Sequence, residues 1–375
     1  MAAPRQRPLA PFPGPFLART LCPAAAILLV LSGCSGQEQE PVYGGTTANT
    51  SGTVSLPAVS YERDAATDLD VPWSVTVLPG GDFFVSERES GEIKRISGGS
   101  EDVVGRVTEA AAASGEGGLL GLAVPAGPVA AVYAYYTSAT DNRVVRLPLI
   151  DDELGVDGGL GEPETILDGI PKGDIHNGGR LAFGPDGHLY IGTGDAGNRG
   201  AAQDTASLGG KILRITADGD VPADNPLEDS PVYSYGHRNV QGLAWDAAGR
   251  LWATEFGPEV DDELNLIRPG GNYGWPEVTG APSDARFIDA QVVWPSTASS
   301  SPSGMAIVDD VAYIGGLRGQ RLWQVPLLDG TAGEPVSHFD GAHGRLRDVV
   351  QSSAGSLLVA TNEGDGARVL EVTLR

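Results

Sequence analysis

Two short runs hold the residues of this 375-residue chain best suited to chemistry. They are DIHNGGRLAFGPDGHLYIGTGD, Asp174 to Asp195, and YGHRNVQGLAWD, Tyr235 to Asp246. In the first, Asn177-Gly178-Gly179 follows His176, and Asp195 lies one strand-length further on. Imidazole can take up a proton near neutral pH, and a carboxylate orients the neutral ring and stabilises the protonated one. The glycines leave room for a ligand or a backbone to come close. Spacing alone leaves two readings open, a structural His–Asp pair and a catalytic one. His237, in GHRN, reads as a structural loop residue bonded to backbone. His188, in the turn PDGHLY, and His338 read as exposed and without function.

Both runs place a His or Arg just ahead of a short alternating stretch, so the elements that position them are strands. Leu189, Ile191 and Thr193 project to one side, Tyr190 and Gly192 to the other. The same unit, a Gly or Asp turn before a short strand, recurs at Gly81, Gly187, Gly249 and Gly355, with weaker copies around Gly127 and Asp310. Six units of roughly 53 residues fit between 61 and 375, a spacing suited to propeller blades. No long stretch carries helical periodicity. The expectation is an all-β, six-bladed β-propeller, with a pair of β-sandwiches as the weaker alternative. In a propeller, loops from distant parts of the chain converge on one central opening.

The net charge of −24 argues against an electrostatic nucleic-acid footprint. Arg5, Arg7 and Arg19 precede an apolar run, Pro23 to Leu31, that ends in Leu31-Ser32-Gly33-Cys34. The run is too short to span a bilayer but suits a signal-peptide core. Leu-Ser-Gly-Cys resembles a bacterial lipobox, in which the cysteine is lipidated and becomes the first mature residue; an ordinary signal peptide cut nearby is the alternative. The predicted organisation is a signal peptide (1–33), a Gly/Ser/Thr-rich tether (34–60) and one domain (61–375). Cys22 and Cys34 are the only cysteines, which leaves the domain without a disulfide or a thiolate metal site.

The chain resembles the pyrroloquinoline quinone (PQQ) dependent soluble glucose and aldose sugar dehydrogenases, the glucose/sorbosone dehydrogenase family. Seven motifs carry the resemblance in order: PWSVTVLPGGDFFVSER, GEGGLLGLAV, HNGGRLAFGPDGHLYIGTGD, GHRNVQGLAWD, EFGPEVDDELNLIRPGGNYGWP, SPSG and GRLRDV. The resemblance implies a six-bladed propeller and oxidation of an aldose C1 hydroxyl to a lactone. It implies His176 as proton acceptor, Asp195 as its supporting acid, and Arg238 and Asn239 as PQQ contacts. Glu116 stands where many members carry Gln, and Arg318, Arg345 and Arg347 match basic residues that grip the cofactor carboxylates.

The resemblance further implies Ca²⁺ held by the carbonyls of Gly257 and Pro258, and a second Ca²⁺ at Glu263 and the Tyr273 carbonyl. Without it, Val260 to Glu263 reads as an acidic loop. The segment 277–299 departs most from the family pattern, leaving Trp294 and Ser299 as candidates for the substrate wall. An external electron acceptor, a quinone or a small haem protein, is implied as partner. A calcium-dependent propeller lactonase and a non-catalytic carbohydrate- or protein-binding propeller are the rival readings. The arginine set favours the dehydrogenase, because an anionic cofactor needs cations around it.

Overall fold

The computed structural model describes residues 56–110, 114–127, 129–150, 159–363 and 366–375. The predicted signal peptide, Cys34 and residues 34–55 of the predicted tether lie outside them.

Six antiparallel sheets follow one another along the described chain. Strand β1 (Val59–Leu69) comes first and begins two residues ahead of the expected boundary at 61. Blade 1 holds β2 (Pro72–Val77), β3 (Phe83–Glu87), β4 (Glu92–Ser97) and β5 (Ser100–Arg106). Blade 2 holds β6 (Leu119–Ala123), β7 (Ala131–Thr137), β8 (Asn142–Pro148) and β9 (Glu164–Ile170). Blade 3 holds β10 (Arg180–Phe183), β11 (Leu189–Gly192), β12 (Lys211–Ile215) and β13 (Val232–Tyr235). Blade 4 holds β14 (Val240–Trp245), β15 (Leu251–Glu255), β16 (Asp262–Leu266) and β17 (Val292–Trp294). Blade 5 holds β18 (Pro302–Val308), β19 (Val311–Gly316), β20 (Arg321–Leu328), β21 (Thr331–Ala332) and β22 (Val336–His338). Blade 6 holds β23 (Leu346–Gln351), β24 (Leu357–Thr361) and β25 (Ala367–Leu374), and β1 returns to pair antiparallel with β25 as its outer strand.

The first strands form the inner ring: β2 packs on β6 and β23, β10 on β6 and β14, and β18 on β14 and β23. This is the expected six-bladed β-propeller. The recurring turns occupy one structural position. Gly81, Gly127, Gly187, Gly249, Asp310 and Gly355 all lie in the hairpin between the first and second strands of a blade.

Side-chain alternation has a particular meaning here, because both faces of a blade are covered by its neighbours. Leu189 and Ile191 pack with Tyr133, Val144 and Ile170 of blade 2, whereas Tyr190 packs with Val240, Leu251 and Ala253 of blade 4. A period of two therefore sorts one strand between two apolar cores rather than between core and water. Stacked blades bury a continuous apolar interior that no single blade could build alone.

Candidate active site

On one face of the ring, each blade contributes two loops: the one entering its first strand and the one leaving its second. His176 to Gly179 enter β10 and Asp195 follows β11; Arg238 and Asn239 enter β14 and Gly257 follows β15. Glu116 enters β6, Arg345 enters β23, and Arg318 follows β19. The repeat thus brings residues from five blades together around the axis.

His176 Nδ1 lies 2.7 Å from Asp195 Oδ1. Asp195 is fully buried and also accepts Gly197 N on Oδ1 (2.8 Å) and Trp275 Nε1 on Oδ2 (2.8 Å). Burial pushes its carboxyl up, but the donors from His176, Trp275 and Gly197 outweigh it and hold the group below the usual carboxylate range. An ionised Asp195 places the imidazole proton on Nδ1 and leaves Nε2 as an acceptor.

The backbone of His176 is left-handed (φ 58°), a conformation that costs a non-glycine residue about 1–3 kcal/mol unless its surroundings hold it. They do so here. The His176 N–H donates to Glu116 Oε2 (2.7 Å) and its carbonyl accepts Ala196 N (3.1 Å). Gly194 is required because a Cβ there would collide with the His176 carbonyl oxygen.

Two adjoining cavities, of about 150 and about 210 Å3, share Glu116, Asn239 and Arg345. The first is also lined by Trp73, Arg88, Arg347 and Asn362. His176, Arg238, Gly257, Pro258, Asp262 and Arg318 line the second. Arg347 is buried, and its NH1 donates to Gln241 Oε1 (3.0 Å). Burial, and then the charges of Arg88, Arg345 and Arg180, push its guanidinium down from its ordinary value. Arg345 is pushed down for the same reasons, by burial and then by the charges of Arg318 and Arg88. Arg88 Nε, Arg238 Nε, Arg347 Nε and Asn362 Nδ2 are buried donors without a protein partner. A cavity that crowds cations and leaves their N–H groups unpaired is built for an anion with several acceptor oxygens. A larger cavity, about 560 Å3, is lined by Tyr190, Arg214 and Trp245, and shares no residue with this site. It includes Asp186 and Gly249 of the hairpins at the opposite strand ends, so size does not mark the chemistry here.

Gly257 N donates to Asp262 Oδ1 (2.9 Å), and Ser301 N to Asp262 Oδ2 (2.7 Å). Burial pushes the Asp262 carboxyl up to about 6 despite these two donors. Glu263 sits opposite Glu255 in the β15–β16 ladder, and burial followed by the Glu255 charge pushes it well up. Its oxygens accept Gly280 N and Asn265 Nδ2. Tyr273 stacks on His237 (4.6 Å) and donates its hydroxyl to the Leu266 carbonyl. Among the described residues, no group of three His, Cys, Asp or Glu side chains is placed to hold a metal.

The matched region of the glucose / sorbosone dehydrogenase family spans residues 69–371 of the chain. The chain belongs to that family. The PQQ-bound aldose sugar dehydrogenase of Streptomyces coelicolor is 46% identical, with a TM-score of 0.81, and covers 86% of this chain and 100% of its own. The aldose sugar dehydrogenase YliI of Escherichia coli K12 is 29% identical over 82% of this chain and 91% of its own length. The quinoprotein glucose dehydrogenase B of Acinetobacter calcoaceticus is 33% identical over 60% of this chain and 54% of its own.

In this glucose / sorbosone dehydrogenase, several expectations take a different form. His237 is structural, yet its partners are side chains: Glu255 Oε2 (2.8 Å) and Ser234 Oγ (2.9 Å). His188 and His338 are partly buried, His188 near Asp186 and Arg214, and His338 bonded to Gln324. Trp294 does not line the cavity beside His176. It belongs to the outermost strand of blade 4 and packs against Trp323 (5.6 Å) between blades 4 and 5. The half-buried Ser299 bonds the Ser296 carbonyl, and Thr297 of the segment and Ser301 just beyond it line the cavity. Arg88, Asn362, Asp262 and Trp275 were missed. The blade repeat could have found the first two, since Arg88 follows β3 and Asn362 follows β24 as Asp195 follows β11.

Proposed function

We propose that this family member oxidises aldose sugars at C1 to lactones, using PQQ and Ca²⁺, with His176 as general base. The observation that carries this reading is the set of unpaired Arg88, Arg347 and Asn362 donors in a cavity adjoining the His176–Asp195 pair.

The residues present fit PQQ. Arg88, Arg345 and Arg347 would hold its carboxylates, with Asn239 and Asn362 as neutral partners and Glu116 and Arg318 at the shared rim. When bound, PQQ supplies the acceptor for the hydride that leaves C1 of the sugar. His176 Nε2 takes the hydroxyl proton, and Asp195 stabilises the resulting imidazolium. Arg238, whose NH1 is anchored on the Phe256 carbonyl (3.1 Å), supplies fixed positive charge where negative charge develops. Gly257 and Pro258 carbonyls suit Ca²⁺, a hard cation that takes oxygen ligands, and the crowded Glu255–Glu263 pair near Tyr273 supports the second site.

The test is reconstitution of the purified apoprotein with PQQ and Ca²⁺, followed by dye reduction over a panel of aldoses. Turnover that depends on PQQ is expected. Sugar binding without turnover would mean a binding propeller, and lactone hydrolysis without PQQ a lactonase. The reading extends to the cell surface: a lipid on Cys34 anchors the domain outside the membrane, where a quinone or a small haem protein takes the electrons.

A further inference from the structure

Trp275 is buried, with 6% of its surface exposed, in the loop after β16. Its contacts converge on both halves of the proposed chemistry. The indole Nε1 donates to Asp195 Oδ2 at 2.8 Å. The ring centroid lies 5.5 Å from the guanidinium carbon of Arg238 and 5.2 Å from that of Arg199. Its own backbone is tied down at both groups: N donates to the Gly236 carbonyl (2.9 Å), and the carbonyl accepts Gln203 Nε2 (2.7 Å).

The two oxygens of Asp195 are served unequally. His176 Nδ1 and Gly197 N both bond Oδ1, while Trp275 alone bonds Oδ2. Without the indole, a fully buried anionic oxygen would have no described partner, a costly state that invites the carboxylate to rotate. An indole N–H is a donor only, so it fixes the charge without competing with His176 for a proton. Its π face attracts a guanidinium, so the same side chain orients Arg238.

We propose that Trp275 is a positioning residue of the reaction, locking the Asp195 carboxylate, and through it the His176 ring, in register with Arg238. The proposal rests on His176 being the base. The indole N–H and the indole face have separate tasks: the first sets the carboxylate, the second the cation.

Trp275→Phe keeps a ring and removes the N–H. In the apoprotein, the His176 Nδ1 proton should resonate far downfield by NMR, as expected for a 2.7 Å bond to a carboxylate, and should shift or broaden in the variant. In the reconstituted enzyme, kcat should fall about tenfold or more, with KM for the sugar and Kd for PQQ within about twofold. An unchanged proton resonance, or a loss that falls on KM and Kd as much as on kcat, overturns the proposal. Should Trp275→Phe not fold, the indole N–H resonance of wild-type Trp275 decides. It must move in Asp195→Asn, and a fixed resonance there also overturns the proposal. These NMR readouts need no cofactor, so failure of His176 as base, seen as surviving turnover in His176→Ala, remains distinguishable from failure of the clamp.

Discussion

Arg180 of blade 3 and Asp348 of blade 6 meet at the inner ring, NH1 to Oδ2 at 2.9 Å, across 168 positions of sequence. The same Asp348 oxygen accepts Val75 N of blade 1 (2.8 Å), and Arg180 Nε donates to the Gln241 carbonyl of blade 4 (2.8 Å). Trp73 of blade 1 lies against the guanidinium at 4.6 Å. Four blades are therefore joined through one buried ion pair under the cofactor cavity. Arg180→Met should cost about 3–5 kcal/mol, because it strands the Asp348 charge. Adding Asp348→Asn should cost less than the two single changes together. Urea unfolding of the three variants measures both.

The proton acceptor and the cofactor grip should separate by mutation. His176→Ala should bind PQQ normally and lose roughly two to four orders of magnitude in turnover. Arg345→Ala should weaken PQQ binding and keep part of the turnover at saturating cofactor. Cofactor titration alongside steady-state kinetics checks both; parental rates from PQQ-loaded His176→Ala would remove the base.

Calcium should support both fold and activity. Removing it with a chelator should abolish PQQ-dependent turnover and lower the melting temperature, since a ligand bound only by the native state stabilises that state. Calorimetry before and after verified metal removal provides the comparison, and identical melting curves would contradict the calcium sites.

Asp195 gives the acid limb of stability a defined sign. Its carboxyl is held below the ordinary value of 3.8, so the folded state binds this proton less readily than the unfolded chain does. The stabilisation is complete above that ordinary value and is lost as pH falls through the lower, folded one. Asp195→Asn should therefore be destabilised relative to the parent at pH 6, and the gap should narrow toward pH 3. Denaturant titrations across that range test the direction.

Cys34→Ala should release the protein from membranes or block its processing. Fractionation of cells expressing the two forms decides, and co-sedimentation of the variant with membranes at the parental level refutes the anchor.

The architecture was legible because its repeat is written in turns. A Gly or Asp at the first hairpin of each blade marks a period, and a period marks a ring. The dyad was legible as well, since His176 and Asp195 bracket a single β-hairpin. What escaped the sequence was long-range pairing. Nothing in the neighbourhood of Arg180 announces Asp348, and Trp275 joins Asp195 only because loops of blades 3 and 4 meet over the ring. Trp294 misled for the complementary reason: closeness to the cavity-lining Thr297 in sequence says nothing about distance from the axis, and β17, which carries the indole, is itself the outermost strand of blade 4.

The pairing of β1 with β25 has a consequence for the order in which this molecule is made. Val59 lies opposite Leu374, and Thr373 Oγ1 donates to the Ser60 carbonyl from 313 positions away. A chain synthesised from its N-terminus must hold β1 without its partner until β25 has been added. The exposed run Ser60 to Arg63 suits that wait, because a polar, charged strand resists premature pairing with a neighbour's edge. Until then blade 6 lacks its third strand, and its outer strand has nothing to pair with. Completion of the final hairpin is the event that latches the ring, and the same latch is where mechanical or thermal opening should begin.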